Sequence, residues 1–256
     1  MYQGFNLELS STDLSGWNSV DVSQNLKQKT RAGILAYSRS GIVDAKKLED
    51  DWFGNVKADV FISHSHADEQ LALTLANGLN AKLGLTCFVD SYVWGFADEL
   101  LKEIDDEYCY NTDKLTYSYE QRNKSTAHVH LMLCAALNKM VDSCEAIIFL
   151  NTPQSLVTSD LLKSASNLTA SPWIYTELIA SKLMRRTVPK RTGVLKKANE
   201  SIEARNLPTF VYETSLSHMT TLSAQDLKKW ADCREKGGAA LDNLYDRFGL
   251  NDTFFK

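Results

Sequence analysis

The apolar positions of this chain follow two rhythms that alternate along its length. Three short runs rich in β-branched and aromatic residues, DVFIS (59–63), TCFVD (86–90) and EAIIFLN (145–151), have the near-continuous hydrophobicity of buried parallel strands. LPTFVYET (207–214) reads as a later strand. Between these runs the spacing becomes helical. Leu71, Leu75, Leu79 and Leu83 recur every four residues, and Gly84 stands where such a helix stops. Ser65 and Asp68 have the S-x-x-D spacing of a capping box ahead of that stripe, and Ser223 and Asp226 repeat it before LKKWADCREK. ELLKEIDDEYCY (99–110) reads as helical, and HVHLMLCAALNKMVDSC (128–144) as an amphipathic helix. Ser171 followed by Pro172 opens a helix that carries WIYTELIASKLMRR to about residue 186. AALDNLYDRFG ends the pattern as a short helix.

Strands alternating with helices predict a doubly wound α/β domain, a parallel sheet with helices on both faces. The domain is expected over 58–215, with SYVWGFADE (91–99) as a loop and a polar insertion near 105–127. Residues 1–57 show no clear strand. The helical spacing of 23–54 makes them an N-terminal helical extension, and residues 216–256 form a C-terminal helical segment packed on the domain. In sheets of this type ligands bind where loops leave the carboxyl ends of the strands. That directs attention to Ser63–His66, to Asp90–Gly95, and to the residues from Asn151 onward.

Composition narrows the class of partner. With 44% hydrophobic and 23% charged residues, the 256-residue chain can bury a full core. A net charge of −4 has no basic excess to draw it onto nucleic acid or anionic membrane. The opening residues lack a basic segment followed by an apolar stretch, so no signal peptide is expected, and AIIFL and LMLCAAL are too short to span a bilayer. Cys87, Cys109, Cys134, Cys144 and Cys233 are scattered and odd in number, as reduced thiols of a cytoplasmic protein would be.

The histidines raise a metal question. His64, His66 and Asp68 lie in HSHADE, one residue short of an H-x-H-x-D-H zinc signature, because Glu69 stands where the last histidine belongs. His128 and His130 make a second H-x-H pair, and His218 is the only other histidine. Too few further ligands are available, so no metal is expected. The first pair reads as a polar turn at a helix start, the second as a solvated helix start.

Four blocks in order resemble the TIR (Toll/interleukin-1 receptor) domain family, bacterial members above all. They are DVFISHSHADEQLALTLANGLNAKLG, TCFVDSYVWGFADELLKEI with its glycine-bearing BB loop, VDSCEAIIFLNTPQSLVTS, and SPWIYTEL with the W-x-x-x-E pattern. They cover about residues 57–186. The resemblance implies a flavodoxin-like fold and, for the enzymatic members, cleavage of NAD at the nicotinamide–ribose bond. The product is ADP-ribose or a cyclic ADP-ribose-type signal, and NAD is a substrate, not a cofactor. Glu177, four residues after Trp173, matches the catalytic glutamate. Substrate contacts are expected from Ser63, His64 and Ser65 near the first helix N-terminus, from Trp173, and from Asp90 and Trp94 at the BB loop. Asp90 would shape that loop, and Trp94 would be a substrate lid or an assembly contact. The resemblance further suggests a Thoeris-like antiphage system, in which the product acts on a separate effector protein. The alternatives are a non-enzymatic TIR scaffold working by self-association and, more remotely, a metallohydrolase. Taken alone, Glu177 is an ordinary helical glutamate and Trp173 an ordinary core aromatic.

Overall fold

The computed structural model of the chain describes residues 1–17, 34–39, 42–53, 57–113, 115–156, 168–187, 189 and 212–250. Two compact units divide it: Met1–Val22, Lys57–Val89 and Met140–Lys256 form the first, Ser23–Val56 and Asp90–Lys139 the second. The first holds the main sheet, whose strands are β1 (Gln3–Glu8), β2 (Val60–Ser63), β3 (Cys87–Val89), β4 (Ala146–Asn151) and β5 (Thr220–Leu222). Their order is β5-β1-β4-β2-β3, and every neighbouring pair is parallel. The helices, in chain order, are α1 (Ala45–Trp52), α2 (Glu69–Leu83), α3 (Ser91–Ile104), α4 (Tyr119–Ser143), α5 (Pro172–Leu183), α6 (Ala224–Ala231) and α7 (Gly238–Arg247). This is the flavodoxin-like, doubly wound α/β fold that the alternation predicts.

One correction concerns the start of the chain. Residues 1–57 are not a helical extension throughout, because Gln3–Glu8 is a strand inside the sheet, paired on both sides. Phe5 and Leu7 are fully buried on one face. On the other face a Cβ at Gly4 would stand 3.2 Å from Met219 Cγ, so a larger residue there would displace the methionine. Gln3 Nε2 donates to Thr220 Oγ1 at 2.8 Å, tying β1 to the edge strand β5 by side chain as well as backbone.

The Phe5 face is covered by α2, α6 and α7. Phe5 stacks on Tyr245 of α7 at 6.2 Å. Leu75, Leu79 and Leu83 are fully buried as the stripe predicts, each contributing roughly 2 kcal/mol by burial. Gly84 takes the left-handed conformation (φ 64°) that ends α2, its N–H returning to Asn80 O. Trp17 lies over the helix at Gly78, where a Cβ would stand 2.0 Å from its Cε3. Ser223 and Asp226 form their capping box before α6, and Trp230 Nε1 donates to Ala240 O at 2.7 Å. The other face carries α5, capped by Ser171, whose Oγ accepts from Ile174 N–H, with Pro172 in the first turn.

The second unit departs from expectation in two places. SYVWGFADE is not a loop but the first part of α3. The insertion near 105–127 is ordered: a π-helical turn Asp105–Cys109, an antiparallel ribbon of Tyr110–Asn111 with Thr116–Tyr117, and the start of α4. Asp105 anchors it. Burial opposes its ionisation, but hydrogen bonds from Ser125 Oγ (2.5 Å) and Arg122 Nε (2.7 Å) hold the carboxyl below the usual range. The expected strand 207–214 lies largely outside the described residues. Its described part, Tyr212–Glu213, pairs antiparallel with Leu168–Thr169, apart from the main sheet. All five cysteines are free thiols.

Candidate functional site

Chain order and strand order together locate a crevice. From β2 the chain moves outward to β3, then returns past β2 to lay down β4 on its other side. The loops after β2 and β4 therefore leave the sheet in opposite directions, and the gap between their carboxyl ends is where a doubly wound sheet takes a ligand.

Ser63, the last residue of β2, projects to the α5 face of that crevice. Its Oγ donates to Glu177 Oε2 at 2.6 Å. Ser63 is fully buried and Glu177 is 1% exposed. The sequence explains the meeting. The Ser171 cap and Pro172 fix where α5 begins, which sets Glu177 in its second turn facing inward, with Ile174 and Leu178 buried beside it. Trp173, one turn earlier on the same side, is half-buried. Ser63 and Asn6 both pair in register with Phe149, so the three form one row across β2, β4 and β1. Asn6 is buried in that row, and its Oδ1 accepts no hydrogen bond from the described residues.

His64 is fully buried. Burial lowers its pKa, while the Glu177 charge, the Ile62 backbone and the charges of Glu69 and Asp68 pull it back up. The histidine therefore sits within electrostatic reach of Glu177 and is not a surface ligand for phosphate. Ser65 is half-buried and caps a single 3-10 turn, His66–Asp68, accepting from Ala67 N–H at 3.4 Å. The expected Ser65–Asp68 capping box does not form. Asp68 instead accepts from Thr152 Oγ1 at 2.5 Å, joining the segment after β2 to the segment after β4. Thr152 is fixed in turn by N–H groups of Gln154 and Ser155, and Ser155 Oγ reaches back to Leu150 O at 2.9 Å.

The structure thus brings together Ser63, His64 and Glu177, with Trp173 a turn away. Asp90 is fully buried and belongs to the second unit. Trp94 lies in α3, and its side chain is outside the described residues. His66 is exposed, as are His128 and His130 along α4 rather than at its start. Among the described residues no three His, Cys, Asp or Glu side chains gather as metal ligands.

Two buried polar positions escaped sequence reasoning. Asn6 carried a signal, a lone amide among alternating apolar residues. Ser181, one turn beyond Glu177, is 4% exposed and shares a 2.9 Å hydrogen bond with His218 Nε2. Burial first, then the charges of Lys182 and Arg186, pull His218 down to about 4, so its imidazole is neutral at pH 7.

An ionised carboxylate fixed in a desolvated cleft stabilises positive charge developing beside it, because its field is little screened there and it needs no reorganisation. The Ser63 hydroxyl orients the group. No protein-family model, curated protein or solved structure matches the chain, so a functional reading rests on this geometry and on the motifs.

Proposed function

We propose that the chain is a TIR-type enzyme that cleaves NAD at the nicotinamide–ribose bond, with Glu177 as its catalytic carboxylate. The observation that supports this most is the Ser63–Glu177 hydrogen bond, which sets a buried carboxylate at the crevice of the sheet. The W-x-x-x-E spacing of Trp173 and Glu177 adds to it.

The chemistry suits a single carboxylate. In NAD the nicotinamide nitrogen is cationic. When the C–N bond breaks, its electron pair returns to that nitrogen and neutral nicotinamide leaves. The acid partner that ordinary glycosidases require is not needed. The positive charge moves to the ribose as an oxocarbenium ion, which Glu177 stabilises. Water then adds and releases a proton to give ADP-ribose, or a nucleophile of the same molecule adds to give a cyclic product. Trp173 offers an aromatic wall, and Ser63 positions the carboxylate. With Glu177 1% exposed, the ribose reaches it only once the crevice opens, so the activity is latent and waits on assembly or a trigger. Self-association through TIR surfaces would supply the first. A product that signals to a separate effector in antiphage defence would explain the need for latency.

The test is nicotinamide release from NAD by the full chain, measured by chromatography in dilute buffer, under crowding and with phage-infected lysate. Glu177→Gln should abolish release under every condition while the far-UV circular dichroism stays unchanged. Release that survives this change refutes the assignment. No release from an assembled wild-type protein favours the scaffold.

A further inference from the structure

On the other face of the same strand ends lies an open cavity of about 390 Å³. Its lining comes from the three segments that leave β1, β2 and β4: Leu9–Leu14, Ala67–Thr74 and Thr152–Gln154. The NAD-cleavage reading makes no use of it. We propose that this cavity is a second binding site, for an uncharged nucleoside.

The size is right for a small molecule, near the lower end of the roughly 300–1,000 Å³ of such sites. The lining decides the chemistry. Among the described residues the lining has no lysine, arginine or histidine, and Asp68 is its only charged member. A phosphate there would meet a carboxylate and no cation to offset it, so nucleotides are disfavoured. The walls are apolar on one side, with Leu9, Leu14, Leu71 and Pro153, which suits a flat base.

The polar side is built and then left partly uncommitted. Thr152 is 6% exposed and already satisfied: its Oγ1 donates to Asp68 Oδ2 and accepts from the N–H groups of Gln154 and Ser155. Asp68 Oδ1 and the side-chain amides of Gln70 and Gln154 make no hydrogen bond to the described residues, although all three residues line the cavity. Two amides and a carboxylate oxygen offer donors and acceptors together, which is what vicinal ribose hydroxyls need. The Asp68–Thr152 bond holds the carboxylate in place, so little ordering is lost when a ligand arrives.

The experiment is titration of the full chain with adenosine, guanosine, cytidine and uridine, and with adenosine 5′-monophosphate, followed by calorimetry and ligand-observed NMR. At least one nucleoside should bind, and the monophosphate should bind about tenfold or more weaker than its nucleoside, one tenfold being about 1.4 kcal/mol. Leu71→Trp, which fills the cavity from a half-buried position, should abolish binding. The double change Gln70→Leu, Gln154→Leu should weaken it about tenfold, as expected for one or two lost hydrogen bonds. The melting temperature confirms that each variant is folded. Glu177→Gln should leave nucleoside binding unchanged, so failure here and failure of the NAD-cleavage reading separate cleanly. Absence of binding by all four nucleosides overturns the proposal. So does binding that Leu71→Trp leaves intact, or a monophosphate that binds as tightly as its nucleoside.

Discussion

Changing Ser63 to alanine tests the centre of the site directly. The hydroxyl donates to Glu177 Oε2 at 2.6 Å between two side chains that are essentially out of water. Hydrogen bonds to charged groups contribute about 1.5–3 kcal/mol, and a buried acceptor that loses its donor recovers little from solvent. Ser63→Ala removes one oxygen and leaves the packing of β2 otherwise intact, so nearly all the effect comes from the bond. We expect a loss of about 2 kcal/mol, or roughly 4–8 °C in melting temperature for a unit of this size. Urea unfolding followed by tryptophan fluorescence measures it. Glu177→Gln keeps an acceptor but makes it neutral, which roughly halves the bond. The two changes together should then show a coupling of about 1 kcal/mol. If the proposed function holds, Ser63→Ala also lowers kcat for nicotinamide release far more than it alters KM, because it disturbs the carboxylate's aim and not substrate capture. A Ser63→Ala protein within about 0.5 kcal/mol of wild type, with no coupling to Glu177, would refute the claim that this pair is built into the site.

Three further outcomes follow from other parts of the molecule. His218 is held neutral at about 4, below the 6.5 expected in the unfolded chain, so unfolding takes up a proton between those values. Stability should therefore fall by up to roughly 3 kcal/mol as pH drops from 6.5 to 4, then level off; urea midpoints across that range should lose most of this slope in His218→Gln. A Cβ at Gly78 would stand 2.0 Å from Trp17 Cε3, so Gly78→Ala should destabilise by about 1–3 kcal/mol despite alanine's better helix propensity, with a red-shifted tryptophan emission; a more stable variant would show that Trp17 does not pack there. Ser223→Ala breaks the capping box of α6 and should cost about 1 kcal/mol by thermal melting, while Ser65→Ala, at a weaker 3.4 Å cap, should cost less.

The parts of this fold that could be read in advance are those whose burial shows as local pattern. β2, β3 and β4 are apolar on both faces, and α2 and α5 carry clear start signals in a leucine stripe and a Ser-Pro step. β1 escaped because half its residues look like surface. Gln3, Gly4 and Asn6 are buried by partners more than two hundred residues away in the case of Thr220 and Met219, and no local window contains that information. The 91–99 segment was misread for the opposite reason. Its glycine and the likeness to a loop outweighed a helical spacing that runs on into Leu100 and Ile104. At the site, Glu177 was legible by motif and Ser63 by its place at a strand end. Their hydrogen bond, and the use of Asp68 for Thr152 instead of a helix cap, depend on how α5 and the segment after β4 settle on the sheet.

The position of β1 has a consequence for how the molecule is made. Gln3 pairs with Ala146 and Phe5 with Thr220, so both neighbours of this strand come from the second half of the chain. As the polypeptide emerges from a ribosome, β1 is synthesised early and must wait, unpaired, until β4 and then β5 appear. β2 and β3 can pair in the meantime, but among the described residues β5 has no neighbour in the sheet other than β1. Contacts this distant in sequence form slowly, and a waiting strand is an edge open to the wrong partner. The buried amides of Gln3 and Asn6 and the bare backbone at Gly4 make that waiting segment less sticky than an all-aliphatic one. The same residues that hid the strand from view give the nascent chain a measure of protection while it waits.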